Sequence, residues 1–90
     1  MKVKSGFVLE KVGSEYLAVA VGERAKEFSG FVRLNSTGAY FWKLMAERDM
    51  TKEELVAAAV RDFEGVSAEQ VALDVENLLK ALIDGEIIEE

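Results

Sequence analysis

The chain of 90 residues contains no cysteine, no histidine and no proline. Without cysteine there is no disulfide to staple so small a domain, and no thiolate to act as nucleophile or soft metal ligand. Without histidine the commonest metal ligand and proton shuttle is missing. Zinc fingers, HExxH metalloproteases, Ser-His-Asp triads and Cys-His pairs are therefore excluded on composition. The lack of proline suits a compact domain with few rigid loops. Long apolar runs are missing too: no stretch approaches the roughly 18 residues that a membrane-spanning helix requires. Met1–Lys4 carries two lysines, but no apolar segment long enough for an export signal follows. The expectation is a cytoplasmic protein with no membrane partner, resting mainly on that missing signal.

What is present describes a globular chain: 50% of the residues are hydrophobic and 31% are charged. Residues 1–90 are expected to form a single domain. The net charge of −6 is unevenly placed. Residues 1–34 hold six Lys/Arg and four Asp/Glu, whereas residues 35–90 hold five and thirteen. So acidic a second half repels phosphate backbones and anionic lipid.

The N-terminal third has strand character. Phe7–Val12 and Glu15–Val21 are rich in β-branched and aromatic residues and flank Gly13-Ser14, which suits a two-residue type II′ hairpin pairing Val12 with Glu15. That register puts Val8, Val12, Leu17, Val19 and Val21 on one face, and Phe7, Leu9, Ala18 and Ala20 on the other. Both faces are largely apolar, so alternation alone does not choose the buried one, and part of the second is expected to meet another element or another chain. Gly22–Gly30 is too long for a tight turn, and a short third strand, Phe31–Leu34, follows it.

The remainder predicts three helices over about 36–84. Asn35 or Ser36 caps the first, with Tyr40, Phe41, Leu44 and Met45 at core spacing. Thr51-Lys52-Glu53-Glu54 is a capping box opening the second, whose apolar stripe is Leu55, Val56, Ala59, Val60 and Phe63, with Gly65 ending it. Ser67-Ala68-Glu69-Gln70 is a second box opening the third. Its buried arc is Val71, Ala72, Val75, Leu78, Leu79, Leu82 and Ile83, with Gly85 at the position past the end. Glu86–Glu89 has the character of a short terminal strand. The class is α+β and winged-helix-like: a three-stranded antiparallel N-terminal sheet followed by a three-helix bundle.

No motif for chemistry emerges. The seven glycines match neither GxxxxGK[ST] nor GxGxxG. Asp62-Phe63-Glu64-Gly65 echoes a calcium loop, but its ligand spacing is wrong and a helix C-terminus explains it better. The carboxylates are scattered as on solvated helix faces rather than paired in a sheltered cleft. No catalytic residue, metal site or cofactor is expected. The third helix carries Glu69, Asp74, Glu76 and Asp84 against Lys80, a poor surface for a DNA major groove. Phe31-Val32-Arg33-Leu34 is more informative. At a sheet edge its backbone groups would accept an extended peptide as a further strand, unless its own loop blunts that edge. Leu73 projects about 80° beyond the apolar arc of the third helix. It is read either as a lone exposed leucine or as a contact in a groove or a homodimer.

Leu34-Asn35-Ser36-Thr37-Gly38-Ala39-Tyr40-Phe41-Trp42 resembles the LN-x-TG-x-x-x-W signature of the PqqD family, small subunits of pyrroloquinoline quinone synthesis with many relatives in peptide-modifying gene clusters. Thr51–Leu55, Asp74-Val75, Leu78-Leu79, Leu82, Gly85–Ile88, Gly22-Glu23 and Phe28–Gly30 are also similar, so the resemblance runs from about residue 7 to residue 88. It implies a peptide chaperone, or RiPP recognition element. In that family the leader part of a ribosomally made precursor adds beside the third strand, packs on the third helix and is presented to a modifying enzyme, commonly a radical SAM protein. By position the strand edge would be Phe31, Val32, Arg33 and Leu34, and the helix wall Asp74, Leu78 and Ala81. Asn35, Thr37 and Gly38 look structural, and Trp42 looks like packing.

Three functions therefore compete: a leader-peptide binder without catalysis, a winged-helix DNA-binding regulator, and a scaffold subunit that binds its enzyme but no free peptide. The acidic third helix separates the first two. In a gel-shift titration with duplex DNA at low salt, no retarded band is expected. A salt-sensitive shift at micromolar protein would favour the regulator.

Overall fold

The structure, a computed structural model, describes residues 1–27 and 31–89. Phe28-Ser29-Gly30, which the family resemblance includes, lies outside the described residues. The elements run β1 (Lys2–Val3), β2 (Phe7–Val12), β3 (Glu15–Ala20), α1 (Arg24–Glu27), β4 (Phe31–Leu34), α2 (Ser36–Glu47), α3 (Lys52–Asp62), α4 (Ala68–Asp84) and β5 (Ile88–Glu89). The third strand of the sequence reading is thus β4, and its three helices are α2, α3 and α4. The class is α+β, with an antiparallel sheet in the order β2-β3-β4 followed by three long helices.

The expected hairpin register is present. Val12 stands opposite Glu15, and Gly13 takes the positive φ of 63° that the first turn position of a type II′ hairpin requires. The choice between the two apolar faces is made by packing. Phe7 and Ala18 are buried, and Leu9, Tyr16, Ala20 and Val32 pack on the core, whereas Val8, Val12 and Phe31 of the opposite face are exposed. Phe41, Met45, Met50, Leu55, Val75, Leu82 and Ile87 are the largest fully buried side chains, so α2 lies between the sheet and the α3–α4 pair.

Local signals set most helix ends. The Asn35 side chain accepts from the Gly38 N–H at 2.7 Å, so Asn35 and not Ser36 is the cap of α2. Thr51 and Glu54 exchange both bonds of a capping box. The second box is only half made. Ser67 accepts from the Gln70 N–H, but the Gln70 side chain turns forward to Asp74 at 3.1 Å.

Four features depart from the sequence reading. A helical turn, α1, occupies part of the Gly22–Gly30 segment. Arg24 holds it by donating to the Ser5 carbonyl at 3.2 Å and lying over the Phe7 ring. A second, two-stranded sheet pairs β1 with β5 and ties the end of the chain to its beginning. Gly85 is right-handed, with φ −83°, and Glu86 takes the left-handed position at φ 58°. The Ile87 N–H then reaches the Leu82 carbonyl and the Glu86 N–H the Ile83 carbonyl, the two bonds of a Schellman motif, one residue later than the glycine suggests. Finally, Val60, Phe63 and Ile83, assigned to apolar arcs, are 42%, 41% and 36% exposed, because the helices present only part of those arcs to the core.

Phe63 ends α3 and packs edge-on against Tyr40, whose hydroxyl donates to Asp62 at 2.6 Å. Burial and then Asp62 push the Tyr40 phenol up to about 12, while Arg61 and then Tyr40 hold the Asp62 carboxyl down to about 2. Tyr40→Phe should lower stability by about 0.5–1.5 kcal/mol and abolish the late phenol titration seen by ultraviolet absorbance. The contribution of ionised Asp62 is present above its ordinary value of 3.8 and is lost as pH falls through about 2. The melting-temperature gap between the natural chain and Asp62→Asn should therefore close on acidification over that window. Asn35→Ala should cost about 0.5–2 kcal/mol in denaturant unfolding, and Asn35→Ser, which keeps an acceptor, should recover most of it.

Candidate functional site

β4 pairs only with β3, in the register Tyr16↔Leu34, Leu17↔Arg33, Ala18↔Val32 and Val19↔Phe31. Its other edge pairs with no strand among the described residues. In a ladder the backbone groups of alternate residues point away from the paired neighbour, so this edge presents a row of N–H and C=O groups.

Leu34 ends the strand and is buried, and α2 begins at Ser36, leaving Asn35 alone as the connection. Gly38 leaves that junction room to close tightly. A methyl group there would stand 3.3 Å from the Asn35 amide oxygen and 3.4 Å from the Leu34 side chain. Beside this junction lies an open cleft of about 340 Å³. Arg33, Leu34, Asn35, Thr37, Gly38 and Phe41 line one side, and Asp74, Asn77 and Leu78 of α4 line the other. The floor is apolar, from Leu34, Phe41 and Leu78. The rim is polar.

Arg33 and Asp74 are the charged residues of this lining, on opposite walls. The Arg33 guanidinium lies 3.4 Å from Glu15 across the sheet, and the Asp74 carboxylate accepts from Gln70 one turn earlier on α4. Of the residues expected to form the site, the structure brings Arg33, Leu34, Asp74 and Leu78 together around the cleft. Phe31, Val32 and Ala81 do not line it. Val32 turns inward on the sheet and is half-buried, Phe31 is exposed on the opposite face, and Ala81 lies one helical turn beyond Leu78.

Asn77 and Phe41 were not among the expected site residues. Asn77 follows Asp74 at i+3 and so shares its stripe, a signal the sequence does carry. Phe41 was assigned to the core, where it is, and it also closes the cleft floor. Thr37 and Gly38, which look structural in the sequence, line the cleft as well. Trp42 is buried, as expected. Leu73 is 56% exposed and lies outside the cleft lining. The lining of the cleft includes one carboxylate, Asp74, and among the described residues no group of three or more carboxylates is placed to hold a metal ion. The site can offer backbone pairing along β4, an apolar floor and the Asp74 carboxylate, with the Arg33 guanidinium at its edge, turned toward Glu15.

A second groove, of about 750 Å³, lies between α3 and α4 and includes Val56, Ala57, Val60 and Ala72. At 100° per residue, Ala68, Glu69 and Ala72 centre about 190° around α4 from Asp74, Asn77 and Leu78, so the two grooves occupy opposite sides of that helix. No helix among the described residues is long and apolar enough to cross a membrane.

A search of curated proteins gave no match. Among solved structures, the chain is similar to TbiB1, solved in complex with the TbiA(beta) leader peptide. The TM-score is 0.73 at 24% identity, covering 99% of this chain and 95% of that one, so the two share a fold. Residues 8–88 match the family described as Coenzyme PQQ synthesis protein D (PqqD). With the strand-to-helix signature at residues 34–42 folded into the wall of the cleft, the chain belongs to the PqqD family.

Proposed function

We propose that this chain is a binding module without catalysis of its own. It captures the leader segment of a ribosomally made precursor peptide by strand addition at β4 and presents it to a modifying enzyme, with a radical SAM protein as the candidate partner. Residues 1–90 act as one domain, in the cytoplasm, in pyrroloquinoline quinone-type or other peptide modification. The observation that carries this reading is the open edge of β4 running beside the cleft under α4. A peptide strand there gains main-chain bonds whatever its sequence, and its inward side chains meet Leu34, Leu78 and Asp74. The shared fold of TbiB1, itself solved with a leader peptide, supports the same reading. The acidic α4 argues against DNA. The scaffold alternative draws support from the groove between α3 and α4, which leaves an apolar surface for an enzyme on the far side of α4 from the peptide.

The test is an amide-shift titration with candidate leader peptides. Shifts are expected along β4 and on α4 around Asp74–Leu78, and shifts confined to β2 and β3, or to α2 and α3, would place the site elsewhere. Val32→Pro removes a backbone donor, and if that donor faces the open edge it should weaken binding by about tenfold, as loss of one hydrogen bond implies. A peptide with Lys or Arg toward α4 should bind better than its alanine variant, and added salt should shrink the difference. Asp74→Lys, at an exposed position, should reverse that preference and leave the melting curve unchanged.

A further inference from the structure

Two cross-strand rows on the outer face of the sheet end in the open. Val8, Val19 and Phe31 stand opposite one another across β2, β3 and β4, and so do Glu10, Leu17 and Arg33. A residue on β3 has a neighbour on each side, but among the described residues Phe31 and Arg33 have a strand neighbour on the β3 side only. Phe31 is left 53% exposed, although its row is apolar throughout. Arg33 is likewise only loosely engaged. Its partner Glu15 is 3.4 Å away, and both side chains are more than half exposed, at 64% and 51%. A pair of that kind adds little and leaves the guanidinium able to take another carboxylate.

A strand laid along β4 alternates its side chains between the two faces of the sheet. Resting on the strand-addition reading above, we propose that Phe31 and Arg33 determine specificity on the outer face. The occupant is an extended peptide with an apolar residue beside Phe31 and an acidic residue two positions away beside Arg33. Its intervening residues turn inward to Leu34, Leu78 and Asp74. Cross-strand neighbours on one face are the units that stabilise a sheet, and opposite charges or paired apolar groups there are favoured over alanine. A basic residue facing Asp74 then falls at an odd spacing from the acidic one, so each peptide charge meets its own partner on its own face.

The net charge of the chain makes this pattern diagnostic. At −6, long-range attraction favours basic peptides throughout, so a selected acidic position must come from local contact with Arg33. The order of the two outward residues also reports direction. The acidic residue comes before the apolar one if the peptide runs antiparallel to β4, and after it if the peptide runs parallel.

Short random peptides displayed on phage, selected against the natural chain and against Arg33→Glu, test the proposal. Arg33 is exposed, so the variant should keep its melting curve. The natural chain should enrich an acidic and an apolar residue at i and i+2, and Arg33→Glu should convert the acidic position to Lys or Arg while keeping the apolar one. In synthetic peptides, exchanging that acidic residue for Lys should weaken binding to the natural chain about 2–5-fold at low salt and strengthen binding to Arg33→Glu. Phe31→Lys should abolish the apolar preference alone. Peptides that shift the β4 amides yet show the same pattern on both proteins would overturn the outer-face proposal and leave strand addition standing. Enriched peptides whose amide shifts avoid β4, or no enrichment at all, would overturn both.

Discussion

The hydrogen bond from the Gly38 N–H to the Asn35 side chain governs the architecture of the site. It lets a strand become a helix across a single residue. Leu34 is thereby sunk into the core at the last position of β4, and α2 starts directly beneath the strand. A longer connection would let β4 drift from α2, and the cleft wall formed by Leu34, Asn35, Thr37 and Phe41 would come apart. Gly38 is part of the same constraint, because any side chain there crowds both Leu34 and Asn35. The family's sequence signature is thus the sequence of a joint. It shapes the binding surface by holding two elements close, and its polar side chains reach the rim only as a consequence.

The electrostatics of the molecule work at two ranges. At long range the negative charge of the second half repels other polyanions, nucleic acid among them. At short range Asp74 sets an anion on the helix wall of the cleft, and Arg33 carries a cation to the outer face of the strand beside it. Gln70 gives up the reciprocal bond of its capping box to hold the Asp74 carboxylate. A side chain that local rules assign to a helix end is instead used to orient a group at the cleft. The cost to α4 is small, since Ser67 still caps it and its apolar side is deeply buried.

Much of this was legible in the sequence, because it rests on local rules. Composition alone removed histidine and cysteine chemistry. The Gly13-Ser14 turn, the caps at Asn35, Thr51 and Ser67, and the end of α4 at Asp84 are short-range bonds between residues within a few positions of one another, and each stands where its residues predicted. What escaped involves partners far apart in the chain. The pairing of β1 with β5 joins segments of two residues each, too short for any periodic signal. The left-handed residue past α4 is Glu86 and not Gly85, because Ile87 and Ile88 must reach the core and the turn closes where their burial requires.

The sequence by itself determined the three strands of the main sheet, the three long helices, their order, the family joint at residues 34–42 and the lack of histidine and cysteine. It also marked β4 and α4 as the elements of interest, since Arg33, Leu34, Asp74 and Leu78 carry the right chemistry in the right segments. Only the tertiary structure decided which apolar face of the sheet is buried. Both faces alternate equally well, and the choice was made by which one α2 covers. It likewise decided that Ala81 falls outside the cleft while Asn77 and Phe41 line it, and that Phe31 is left facing outward beside an open edge. Those outcomes depend on how a four-residue strand lies against a helix more than thirty residues away in sequence. Local propensity carries no information about that distance, and packing alone supplies it.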